Sequence, residues 1–233
     1  MQGNITKSNI DFHSLKQVGS HMLSLVLPST CIKCEEILHP LEGLGMCNNC
    51  WHELPYWDKS IQPEPELPPF VDSFTAPFLY EEDMQQLVTL FKFHDKPEYA
   101  DTFTRFMQHH IPTQKNDTLI IPVPIHRWRL WQRGFNQSDL LANKIASYTN
   151  NNFSRTALLR IKHTPKQTGK SKEMRQKILR TAFWVDELQV KNKTIILIDD
   201  VWTTGSTAHV CAKQLKKAGA AEVHVVTLCY TPR

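Results

Sequence analysis

No apolar run among the 233 residues approaches the roughly 18 that a membrane-spanning helix needs. The longest early stretch, residues 22–27 (MLSLVL), is too short, and about twenty mostly polar residues precede it without the basic start of a secretory signal. The chain is therefore expected to be cytoplasmic, with no membrane insertion. Residues 19–22, Gly-Ser-His-Met, resemble a vector scar, but no histidine run precedes them and they are read as native. No G-x4-G-K-[S/T] occurs, which excludes a P-loop, and no G-x-G-x-x-G, which excludes the dinucleotide fingerprint. No internal repeat is visible.

Charge is present but unevenly placed. Residues 1–120 carry 8 Lys+Arg against 16 Asp+Glu, whereas residues 121–193 carry 15 against 4. A block this basic inside a chain of net charge +4 points to a polyanionic partner: phosphates, pyrophosphate or nucleic acid. A solvated, lysine-rich surface is the bland alternative.

Four of the six cysteines, Cys31, Cys34, Cys47 and Cys50, form two C-x2-C pairs separated by twelve residues. Two such knuckles supply the four sulfurs of tetrahedral Zn2+, with no open coordination position, so the metal is expected to be structural. Disulfides fit a reducing cytosol poorly, and the spacing is not that of a ferredoxin-like iron–sulfur site. Cys211 and Cys229 sit among apolar neighbours and read as small core residues.

The expected organisation is an N-terminal segment with the zinc module over 1–57, a linker over 58–70 and an α/β domain over 71–233. Pro63, Pro65, Pro68 and Pro69 with acids between them suggest a stiff, extended linker. Residues 74–80 read as a strand that Pro77 confines to an edge or bulge. Residues 83–93 and 139–148 read as amphipathic helices, and 118–123 as a buried strand. Residues 193–199, 207–218 and 222–230 read as strand, helix and strand, a βαβ unit of a Rossmann-like parallel sheet.

The strand over 195–198 is followed by Asp199 and Asp200, then by Thr203, Thr204, Gly205, Ser206 and Thr207 opening a helix. In parallel sheets, ligands bind beyond the carboxyl ends of strands. Glycine and hydroxyl residues at a helix start present N–H and O–H groups to one anion, helped by the helix dipole. Adjacent acids facing the same pocket can accept from vicinal hydroxyls and help hold Mg2+. Acid pair plus phosphate cradle describes a ribose 5-phosphate. Either half alone reads equally well as a turn or a polar N-cap; the pair between a clean strand and a clean helix favours the ligand.

This segment resembles the 5-phosphoribosyl-1-pyrophosphate (PRPP) signature of type I phosphoribosyltransferases. The chain as a whole resembles the ComF family, in which a four-cysteine zinc module precedes such a domain. The match extends over 31–50, over 121–142 with Pro-Val-Pro and Arg133-Gly134-Phe135-Asn136-Gln137, and over 164–183. The resemblance implies that Asp199 and Asp200 meet the ribose hydroxyls and that Thr203 to Thr207 cradle the 5-phosphate. It implies that the loop after Pro124, with Arg127 and Arg133, faces the pyrophosphate. Residues 162–180, with Lys166 among them, resemble a mobile hood: Gln167, Arg175, Ala182 and Phe183 fit, but Ile178 stands where the family usually has Asn.

Residues 126–133 interleave Arg127, Arg129 and Arg133 with Trp128 and Trp131, a pairing suited to single strands: arginines grip phosphates and indoles stack on bases. Equally, one Trp packs beneath the loop and the arginines serve pyrophosphate alone. The hood's Lys162, Lys166, Lys170, Lys172, Arg175, Lys177 and Arg180 exceed the about two or three cations that one pyrophosphate needs. Two functions compete. One is an active phosphoribosyltransferase with Mg2+–PRPP and an undefined base or amine acceptor. The other, favoured by the resemblance, is a PRPP-binding protein handling single-stranded DNA in natural transformation, alongside DNA-uptake machinery proteins.

Overall fold

The structure is a computed structural model that describes residues 30–31, 33–38, 46–93, 99–112, 117–125, 130–131, 134–161 and 182–232. The chain divides into two compact units, 1–52 and 53–233. The proline-rich stretch 58–70 thus falls inside the second unit rather than between units. Its carbonyls take part in that unit's packing: Pro69 accepts from His209 Nδ1 at 3.0 Å, and Pro63 from the Tyr230 hydroxyl at 3.4 Å.

In the first unit, Thr30 and Ile37 form an antiparallel bridge around a tight turn. The turn closes through Cys31 N–H to the Glu36 carbonyl (2.7 Å), with Glu35 at φ +60. Helix α1, Asn48–His52, follows Cys47, whose carbonyl accepts from Trp51 N–H.

The second unit is built on a parallel sheet. Its strands are β1 (Ser73–Thr75), β2 (Phe78–Leu79), β3 (Thr118–Pro122), β4 (Asn152–Phe153), β7 (Thr194–Trp202) and β8 (Glu222–Tyr230). The order is β1-β8-β7-β3-β4, with β2 also on β8. β1 and β2 are one edge strand interrupted at Ala76-Pro77, because proline cannot donate to the ladder. β5 (Leu158–Arg160) and β6 (Phe183–Val185) form a separate antiparallel pair. The helices are α2 (Glu82–Phe93), α3 (Tyr99–Met107), α4 (Gln137–Thr149), the short α5 (Glu187–Val190) and α6 (Ser206–Lys217). No helix among the described residues is long and apolar enough to cross a membrane.

β3, β7 and β8 are central and buried on both faces, which is why they read as near-continuous runs of Ile, Leu and Val rather than alternating ones. The chain leaves β3 through α4 to β4 on one side, and leaves β7 through α6 to β8 on the other. The strand order therefore reverses between β3 and β7, and a crevice opens where their following loops diverge. β7 runs three residues beyond the expected strand. Its ladder with the long β8 continues through Asp199↔Thr227 to Trp202↔Tyr230, so both acids lie in the strand.

Candidate functional site

Asp199 and Asp200 occupy consecutive strand positions, and successive side chains of a strand leave on opposite sides. Asp199 Oδ1 accepts from the Ser138 hydroxyl at the start of α4 and from the Asp200 N–H, each at 2.9 Å. Asp200 Oδ2 instead lies 2.7 Å from Lys92 Nζ, on α2. Among the residues lining the small cavity over the helix start, Asp199 joins Thr203 through Thr207; Asp200 does not. Asp199 thus lines this cavity while Asp200 turns to Lys92, as alternation along a strand sets neighbouring side chains apart.

Burial, followed by the charge of Asp200, pushes the Asp199 carboxyl up to about 7, against the lowering influence of the Asp200 N–H, Ser138 and Lys92. A carboxyl raised on folding binds a proton more tightly in the native state. Its stabilising contribution is full below the unfolded value near 4 and is lost as pH rises through about 7. Asp199→Asn keeps the accepting oxygen without the charge. Its stability relative to wild type should rise by on the order of 1–4 kcal/mol between pH 5 and pH 8 in urea titrations. Equal differences at the two pH values would refute the assignment.

The cradle follows. Thr203, Thr204, Ser206 and Thr207 are exposed, and Thr204 Oγ1 and Ser206 Oγ lie 2.7 Å apart. Gly205 is the N-cap of α6 at φ +65, with no side chain to cap the helix. It also sits directly on Trp202: a Cβ at Gly205 would be 2.5 Å from the indole Cζ2. Trp202 is in turn held by an aromatic layer. Phe74 stacks on it at 4.3 Å between ring centroids, and Trp57 and Tyr230 pack on Phe74. Beside the loop, a cleft of about 510 Å³ opens against the proline-rich stretch, with Pro65, Leu67 and His209 in its walls.

At the end of β3, the Asn136 amide donates to the Val123 carbonyl at 3.1 Å, tying the start of α4 back to the strand it follows. Gly134 in this loop has φ +75. Arg127, Trp128, Arg129 and Arg133 lie outside the described residues, as do the hood positions Lys162, Lys166, Gln167, Lys170, Lys172, Arg175, Lys177, Ile178 and Arg180. Trp131 is described, and it is 82% exposed. β5 and β6 flank the hood segment in the chain, and Arg160 lies over the Phe183 ring.

In the first unit, Sγ atoms of Cys31, Cys34, Cys47 and Cys50 all lie within 4.8 Å of one another. A Zn–S bond of about 2.3 Å implies about 3.8 Å between sulfurs of a tetrahedron, and Cys34 and Cys47 are 3.7 Å apart. The cluster can hold a metal ion and is compatible with a zinc module. Burial works to raise the Cys31 thiol, but N–H groups of Cys34, Cys47 and Lys33 outweigh it and bring it down to about 6, whereas burial and the neighbouring thiols push Cys50 up. Only the first pair is a knuckle; the second opens α1. Cys211 and Cys229 are fully buried core residues, and burial pushes both thiols up.

Three residues of the site escaped sequence reasoning: Lys92, Ser138 and the supporting Trp202. Ser138 directly follows the quoted Asn136-Gln137, so its place at a helix start was a usable signal. Lys92, inside an ordinary amphipathic helix, offered none.

Residues 133–233 match the family described as the phosphoribosyl transferase domain. The chain is 29% identical over 215 residues to competence protein F of Haemophilus influenzae, covering 84% of this chain and 94% of that protein. It is 30% identical over 191 residues to the DNA utilization protein YhgH of Shigella flexneri, covering 79% of this chain and 78% of that one. Among solved structures, it is similar to adenine phosphoribosyltransferase of Leishmania tarentolae at 16% identity and TM-score 0.39, covering 82% and 88% of the two chains. A phosphoribosyltransferase-type parallel sheet, a four-cysteine cluster preceding it and these relatives agree: the chain belongs to the ComF family.

Proposed function

We propose that the protein is a PRPP-binding member of its family that handles internalised single-stranded DNA during natural transformation, together with proteins of the DNA-uptake machinery. The observation that carries the ligand is the cavity that Asp199 shares with Thr203–Thr207 at the carboxyl end of β7. Thr203, Thr204, Gly205, Ser206 and Thr207 hold the 5-phosphate on the N–H groups of the helix start. Asp199 accepts from a ribose hydroxyl within the cavity, and a ribose extending past its rim meets Asp200 through Oδ1, Oδ2 being engaged by Lys92. Arg127 and Arg133 meet the pyrophosphate, whose charge Mg2+ offsets. Zn2+ on the four cysteines is structural. The names of the relatives, competence protein F and DNA utilization protein, support the DNA role, as do the basic block and the exposed Trp131.

Calorimetric titration with PRPP, with and without Mg2+, tests the ligand. Wild type should bind and Asp200→Asn should bind about tenfold or more weakly; absence of binding to wild type would overturn the reading. Single-stranded DNA affinity should fall steeply with salt, by a log–log slope of about −0.7 per phosphate neutralised. Trp131→Ala should cost about 1–3 kcal/mol of it, one stacked base. A flat salt response counts against the DNA role.

One observation favours catalysis as a second reading: Asp199, held near neutrality beside the cavity, is suited to proton exchange. Pyrophosphate release from Mg2+–PRPP with pooled nucleobases distinguishes the two.

A further inference from the structure

Lys92, near the end of α2, places its ammonium 2.7 Å from Asp200 Oδ2, and the two side chains are only 19% and 17% exposed. A pair so withdrawn from water is weakly screened by salt. It stands at the carboxyl end of β7, one residue from the acid that lines the cavity. The start of α4 holds Lys92 and the acid next to its partner. Gln137, 1% exposed, donates from Nε2 to the Lys92 carbonyl at 3.2 Å, and the next residue, Ser138, donates to Asp199. The lysine backbone and the neighbouring carboxylate are therefore positioned by consecutive residues of one helix.

This arrangement bears on which ligand the acid pair accepts. Acids beside a bound phosphate repel it unless a cation intervenes, and a divalent ion is one way to supply that cation. Here Asp200 already carries a cation at contact distance. A divalent ion approaching the same carboxylate would meet the ammonium and be repelled. We propose that Lys92 is the built-in counter-cation of the acid pair, so that the site takes a ribose 5-phosphate group without a divalent metal. Mg2+ then accompanies only a ligand that brings its own pyrophosphate, and a monophosphorylated ribose binds equally well in its absence. Lys92 is a positioning residue, acting through Asp200 rather than on the ligand. The inference rests on the ribose-phosphate reading of the cavity.

The probe is ribose 5-phosphate, titrated calorimetrically into the full chain in magnesium-free buffer and in millimolar Mg2+, without chelator so that the cysteine cluster is undisturbed. Wild type should give dissociation constants within about twofold of each other. Lys92→Gln should bind about tenfold or more weakly without Mg2+ and recover to within about threefold of wild type when Mg2+ is added, because the vacated carboxylate then accepts the ion. Recovery by metal is a readout that a merely structural lysine would not produce. Lys92→Arg, which keeps the charge, should bind without Mg2+ and serves if the Gln variant does not fold. A wild type that binds only with Mg2+ overturns the inference, as does a folded Lys92→Gln that Mg2+ does not restore or a folded Lys92→Arg that needs it. If wild type binds neither ribose 5-phosphate nor PRPP under any condition, the ribose-phosphate reading itself has failed.

Discussion

Gly205→Ala should abolish PRPP binding and destabilise the second unit by about 2–5 kcal/mol, combining left-handed backbone strain with overpacking. Two independent costs meet at this position. The residue has φ +65, and its new Cβ would lie 2.5 Å from Trp202 Cζ2. The indole cannot swing away cheaply, because Phe74 is stacked on it and Trp57 and Tyr230 pack on Phe74. Relief must come from the loop, which displaces the N–H groups that would grip a phosphate. Gly134→Ala is the natural control: φ is +75, but among the described residues nothing lies within 4 Å of the added Cβ. It should cost only the strain, about 1–2 kcal/mol. Urea denaturation of both variants, with PRPP titration, checks the difference. Equal stability of the two would show that Trp202 does not brace the loop.

Stripping metal from the cysteine cluster should unfold residues 30–52. The described part of the first unit buries little besides Cys31, Cys47 and Cys50: Leu38, Met46 and Trp51 complete its apolar interior. So small a core does not fold on hydrophobic burial alone, whereas a structural zinc contributes an apparent 10–16 kcal/mol or roughly that order. One equivalent of zinc should be released by mercurial titration of the thiols. Cys47→Ala should expose the Trp51 region to protease, while the unfolding transition of the second unit stays in place. A metal-free chain resistant to cleavage over 30–52 would refute a structural metal.

The parts of the fold that were legible in sequence were those with strong local patterns. β8 over 222–230 and α6 within a residue of 207–218 came from uninterrupted periodicity, and the edge strand broken at Pro77 came from the chemistry of one residue. Helix α3 went unseen because two of its buried positions are Thr102 and Thr104, which blur an apolar stripe. The β5–β6 pair went unseen because antiparallel strands of three residues carry too little pattern, and twenty-two residues of basic sequence separate them.

The site shows the same division. Local spacing alone determined the four-thiol cluster, the hydroxyl-rich helix start and the acid pair, because each is made of neighbours in the chain whose geometry follows from a turn, a strand end or a helix start. Tertiary structure decided what those groups do to one another. It extended β7 by pairing with β8, which sent Asp199 toward the cavity and Asp200 to Lys92. It laid Trp202 under Gly205 on an aromatic layer drawn from three distant segments. Contacts between remote segments leave no periodic trace in either one, so the cation that neutralises Asp200 became visible only when α2 and β7 were packed together.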